Sequence, residues 1–70
     1  MDSVLFRTIR QSKGLTQRQF AEVLGVSKTL ISLIEINYKP VSEKVRLKVI
    51  QEFGGGYIET CRSFLSEIRN

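Results

Sequence analysis

Apolar residues recur at helical spacing in successive stretches of the chain, each bounded by residues that start or stop helices. The first stretch carries Val4, Leu5 and Ile9, opens at Asp2 or Ser3 as its cap and closes at Gly14. The second opens at Thr16. With Gln19 three residues later it forms a capping box, in which the hydroxyl accepts from the third backbone N–H and the amide side chain reaches back to the cap. Phe20, Val23 and Leu24 form the apolar side of this helix, and Gly25 ends it, because glycine takes the left-handed conformation at no steric cost. Ser27 caps a third helix running to Glu35 or Ile36, where Asn37-Tyr38-Lys39-Pro40 makes a polar, proline-punctuated loop. Ser42 caps a fourth, with Val45, Val49, Ile50 and Phe53 at helical spacing and Gly54 at its end. The glycine triplet 54–56 reads as a turn, and beyond it Tyr57, Ile58, Cys61, Phe64, Leu65 and Ile68 keep the rhythm of a fifth amphipathic helix. No alternating strand pattern and no solenoid repeat competes with this reading, so the expected fold is all-α, with four to five helices.

Composition narrows the class. Seventy residues, 41% hydrophobic and 26% charged, describe one small folded domain and not a disordered chain. At about 0.05–0.15 kcal/mol per residue the stability of such a domain is roughly 4–10 kcal/mol, thin enough for subunit association to matter. There is no histidine and a single cysteine, Cys61. That excludes an internal disulfide, a zinc finger and any Cys–His or Ser–His catalytic pair, so the chain is expected to be no enzyme and to use no metal or cofactor. Cys61 itself reads as a small apolar residue of the tail. No apolar run approaches the roughly 20 residues that span a bilayer, and Met1-Asp2-Ser3 begins with an acid where a signal peptide is basic, so a cytoplasmic location is expected.

The formal net charge of +4 points to an acidic partner, most simply nucleic acid. The excess is not evenly spread. Residues 1–53 hold nine Lys/Arg against five Asp/Glu, whereas residues 54–70 hold two of each. The expected organisation is a DNA-binding unit over residues 1–53, followed by the glycine turn and amphipathic helix of residues 54–70. That tail either caps its own core or pairs two subunits.

Two short helices joined by a glycine turn form a helix-turn-helix when small and apolar residues stand where they cross. Phe20, Ala21, Leu24, Gly25, Val26, Ile31 and Ile34 fall at those places: Ala21 admits close approach, Gly25 the turn, and the two isoleucines fasten helix three to the core. At about 100° per residue, Ile31 and Ile34 define the inner face of helix three, and Lys28, Thr29, Ser32, Leu33 and Ile36 fall on the outer arc. In a major groove Lys28 donates to guanine O6 or N7, Thr29 and Ser32 exchange hydrogen bonds with base edges, and Leu33 packs on a thymine methyl. The plain alternative for these residues is that of solvated surface positions.

The run Leu15-Thr16-Gln17-Arg18-Gln19-Phe20-Ala21-Glu22-Val23-Leu24-Gly25-Val26-Ser27-Lys28-Thr29-Leu30-Ile31-Ser32-Leu33-Ile34-Glu35 resembles the Cro/repressor class of helix-turn-helix regulators, the XRE family. The resemblance extends over about residues 4–53. It implies a compact, lambda-repressor-like DNA-binding domain in bacterial or phage transcriptional control, commonly a dimer on a near-palindromic operator in double-stranded DNA. It also implies that Gln17, with Arg18 beside it, clamps the phosphate backbone, that Lys39 and Lys44 touch the backbone from the loop into helix four, and that Arg10 and Glu35 form a structural ion pair. Arg46 and Lys48 are weaker phosphate candidates. Repression is the expected sign of control. Leu33 and Ile36 depart from the family, which often has a polar or basic side chain at the first position and asparagine with glycine just after the glutamate. The departure opens a second reading, an antitoxin or interaction module that uses the same fold to bind a protein partner.

Overall fold

In the computed structural model, which describes residues 1–69, side-chain oxygens open four of the helices. Asp2 accepts from Leu5 N–H at 2.8 Å ahead of α1 (Ser3–Ser12), and Thr16 from Gln19 N–H at 3.1 Å ahead of α2 (Gln17–Leu24). Ser27 does so for Leu30 at 3.1 Å ahead of α3 (Lys28–Glu35), and Ser42 for Val45 at 3.2 Å ahead of α4 (Glu43–Phe53). Each satisfies a donor that the first turn of a helix leaves without a backbone partner. At Thr16 the box is reciprocal, since its own N–H donates to Gln19 Oε1 at 2.9 Å. Gly25 stands at φ 68°, ψ 36°, and Val26 N–H returns to the Ala21 carbonyl at 3.0 Å, which turns the chain sharply from α2 into α3.

A fifth helix, α5, spans Gly55–Arg69. It begins earlier than the glycine triplet led us to expect: only Gly54, at φ 86° and ψ 146°, makes the turn, while Gly55 and Gly56 lie within the first helical turn. Ile58 N–H closes that turn on the Gly54 carbonyl at 3.2 Å. Glycine costs a helix about 1 kcal/mol per residue relative to alanine in the interior, a penalty that packing of the following turns offsets. Asn70, the last residue of the 54–70 tail, lies outside the described residues.

The five helices bury one apolar cluster. Phe6, Ile9, Phe20, Ile31, Ile34 and Val49 are fully enclosed, with Leu5, Ala21, Leu24, Val45, Ile58, Cys61 and Leu65 completing the cluster. Phe6 meets Phe20 edge-on with ring centroids 5.0 Å apart, and Phe20 stacks on Phe53 at 5.9 Å. Two details correct the expected apolar faces. Phe6, and not Val4, belongs with Leu5 and Ile9 on the buried side of α1, and Val23 lies at the exposed margin of α2. In α2 the buried arc is centred on Phe20, Ala21 and Leu24, and Val23 is about 100° from its middle.

Through Ile58, Cys61 and Leu65, α5 packs against α1 and α4. Tyr57 hydrogen-bonds its hydroxyl to that of Ser12, and Lys13 Nζ sits 4.0 Å from the Tyr57 ring centroid, tying the start of α5 to the end of α1. Phe64 and Ile68 keep the apolar rhythm of the helix but remain exposed. No helix among the described residues is long and apolar enough to cross a membrane.

Candidate nucleic-acid interface

Helix α3 has an anchored side and an open side. Ile31 and Ile34 are wholly buried, whereas Lys28, Thr29 and Ile36 are exposed and Ser32 and Leu33 half-buried. Among the described residues, therefore, nothing encloses this flank, which is open at Lys28 and Thr29 and partly covered at Ser32 and Leu33.

What holds this helix against its neighbours is a connected set of polar side chains. Arg10 Nε donates to Glu35 Oε2 at 2.7 Å and Nη2 to Glu35 Oε1 at 2.9 Å, while Nη1 donates to the Leu15 carbonyl at 2.9 Å. The two side chains are 12% and 4% exposed, so this is a bidentate ion pair largely removed from water. Gln17 joins it: its Nε2 donates to Glu35 Oε1 at 3.2 Å, and its Oε1 accepts from the Ser32 hydroxyl at 2.9 Å. One continuous path thus runs from α1 through the end of α3 and the start of α2 to the middle of α3. Sequence reasoning treats Gln17 and Ser32 as separate contacts to phosphate and base, and the bond between them goes unnoticed. Their separation of 15 residues follows no local rule. The signal that could have found it is the crossing at Ala21, which brings the first turn of α2 against α3.

Gln17 and Arg18 are the first residues of α2, and their backbone amides precede the first intrahelical donor, Phe20, and the amide that Thr16 caps, Gln19. They are free to meet an anion. Around them stand exposed cations. Arg18, Lys28, Lys39 and Lys44 make no side-chain hydrogen bond or ion pair among the described residues. Lys39 is placed beside α3, since its N–H and that of Tyr38 both return to the Leu33 carbonyl, at 3.2 and 2.9 Å. Lys28 opens α3, Arg18 the second position of α2, and Lys44 the first turn of α4. The weaker candidates are differently placed. Arg46 donates through Nε to Glu43 Oε2 at 3.0 Å, and this hydrogen bond holds the Glu43 carboxyl below its ordinary value and raises the arginine above its own. Lys48 is half-buried, with its ammonium near the Gly25 turn.

After α3 the chain turns at Asn37, whose φ of 62° lies in the left-handed region that asparagine tolerates better than most residues. This turn leaves Ile36 71% and Tyr38 74% exposed at the end of the open flank.

The sequence profile of the helix-turn-helix family matches residues 6–56. The chain belongs to that family. It is a helix-turn-helix domain of the kind by which transcriptional regulators bind DNA, and α2, the Gly25 turn and α3 are its namesake unit. A curated relative, a propionyl-CoA carboxylase regulator of Cereibacter sphaeroides, is 48% identical over 48 residues, which make up 69% of this chain and 10% of that protein. The chain thus spans about a tenth of the length of the relative it matches. No solved structure gives a significant match. The family match ends at Gly56, so the buried α5 residues Ile58, Cys61 and Leu65 of this helix-turn-helix protein lie beyond it.

Proposed function

We propose that the chain is a sequence-specific repressor that inserts α3 into the major groove of double-stranded DNA. The observation that carries this reading is the open flank of α3, bordered by cations that make no ion pair among the described residues. Lys28, Thr29, Ser32 and Leu33 are the base-reading residues, with Lys28 aimed at guanine and Leu33 at a thymine methyl. Gln17, Arg18, Lys39 and Lys44 grip phosphate, helped by the free amides that open α2. Arg10, Glu35, Ala21, Gly25, Ile31 and Ile34 fix the helix that does the reading. The Cereibacter relative is named as a regulator, which accords with transcriptional control. Residues 1–53 form the DNA-binding unit. Two such units on a near-palindromic operator place their recognition helices about 34 Å apart, with the 54–70 segment as the candidate pairing element.

The test is a titration of duplex DNA at two salt concentrations. With about four to six phosphates neutralised per subunit, at a slope of about −0.9 each, affinity falls by roughly two to three powers of ten between 50 and 200 mM salt. Salt-independent or absent binding contradicts the proposal. It favours instead the second reading, a protein partner seated on α3 and its following loop, for which the exposure of Ile36 and Tyr38 is the supporting observation.

A further inference from the structure

Resting on the insertion of α3 just proposed, we infer that Ser32 meets its base as a hydrogen-bond acceptor only. It thereby selects an amino base, adenine or cytosine, over a keto base, guanine or thymine, at the strand position it faces. The inference follows the direction of protons along the polar path. A carboxylate accepts and never donates, and both oxygens of Glu35 already face the Arg10 guanidinium. Gln17 approaches Glu35 Oε1 at 3.2 Å, so the amide must turn its NH2 to that oxygen; the opposite orientation sets two acceptors against each other. This leaves Gln17 Oε1, an acceptor, 2.9 Å from the Ser32 hydroxyl. The hydroxyl has one proton, and it is committed to Gln17. What remains for the groove is a pair of lone pairs. The second proton of Gln17 Nε2 stays available, in keeping with a phosphate contact by the same side chain.

In the major groove adenine offers its N6 amino group and cytosine its N4 amino group, where thymine and guanine offer carbonyl oxygens. An acceptor-only serine pairs with the first two and confronts the others with opposed lone pairs, a difference of about five- to tenfold in affinity for one neutral hydrogen bond. Thr29 supplies the contrast. It is exposed and makes no side-chain hydrogen bond among the described residues, so its hydroxyl turns freely and no neighbour fixes the direction of its proton.

The experiment selects bound duplexes from a random pool with the natural protein and with Ser32→Ala, and takes the position whose preference depends on Ser32. Duplexes with each of the four bases there are then titrated, together with one carrying N6-methyladenine or N4-methylcytosine, in which a methyl replaces the amino hydrogen facing the groove. The expected result is a five- to tenfold preference for amino bases that the methyl group abolishes without any change to the protein. Gln17→Ala binds all duplexes more weakly, yet its amino-to-keto ratio falls to near one, because the freed hydroxyl rotates to donate. A keto preference, equal affinities in the natural protein, a ratio unchanged by Gln17→Ala, or no position that responds to Ser32→Ala overturns the inference. Salt-sensitive binding without the amino preference removes this inference alone, whereas no DNA binding at all removes the insertion of α3 with it.

Discussion

Glu35→Ala is expected to cost about 3–5 kcal/mol of folding free energy, because it strands a buried guanidinium. Arg10 is 12% exposed on its side chain and directs two of its three hydrogen bonds at Glu35, so the substitution leaves a charge with neither water nor counter-ion. Against a total of roughly 4–10 kcal/mol for a chain of this length, this removes from about a third to all of the margin, and at the low end much of the protein is unfolded at ordinary temperature. The same change releases Gln17 from its acceptor, so DNA affinity falls even in the fraction that folds. Replacing both partners together, Arg10→Met with Glu35→Leu, is expected to recover most of the stability but not the DNA binding, which separates packing from the orientation of Gln17 and Ser32. Urea unfolding and duplex-DNA titration of the natural protein and the two variants measure this. A loss under about 1 kcal/mol for Glu35→Ala means the pair is solvated and does not hold α3.

The second large effect comes from truncation after Gly56. If the tail served to pair subunits, this deletion would weaken operator binding more than it unfolds residues 1–53. The packing of Ile58, Cys61 and Leu65 predicts the reverse order of effects. Burying the two aliphatic side chains is worth about 1.5–3 kcal/mol each, and their removal also exposes the apolar sides of α1 and α4 against which they rest. The truncated chain is therefore expected to lose about 3–6 kcal/mol and to show a weakened or broadened unfolding transition in far-UV circular dichroism. A truncated chain that unfolds at the same midpoint as the full one contradicts the placement of α5 in the core.

Local chemistry explains why so much of the fold was legible. Caps act over three residues, so Thr16, Ser27 and Ser42 mark their helices whatever the rest of the chain does, and Gly25 announces its turn because glycine enters the left-handed conformation without steric cost. The departures have two origins. Val4 and Phe6 are both apolar and two residues apart, but at about 100° per residue Phe6 falls about 60° from Ile9 and Val4 about 140°, so helical spacing itself favours the ring, which packs inside against Phe20. Gly55 and Gly56 read as turn because their intrinsic preference is against helix, and the packing that follows at Ile58 and Cys61 overcomes it. At the candidate site, the outer arc of α3 follows from the two isoleucines by geometry. The polar path through Gln17 does not, because it needs the distance between two helices and the direction of each proton. Nor did any pattern place Tyr38 in the open, since a single aromatic in a polar loop has no periodicity to betray its side.

The central claim is that the uncovered flank of α3 lodges against base edges, and selection of bound duplexes tests it most directly. Lys28 and Thr29 are exposed and touch nothing the fold needs, so Lys28→Ala and Thr29→Ala leave the protein folded. The natural protein is expected to enrich a defined motif, and each substitution to relax one position of that motif by about 1–3 kcal/mol or less while the others persist. Identical motifs from all three proteins, or no enrichment by any of them, contradict it.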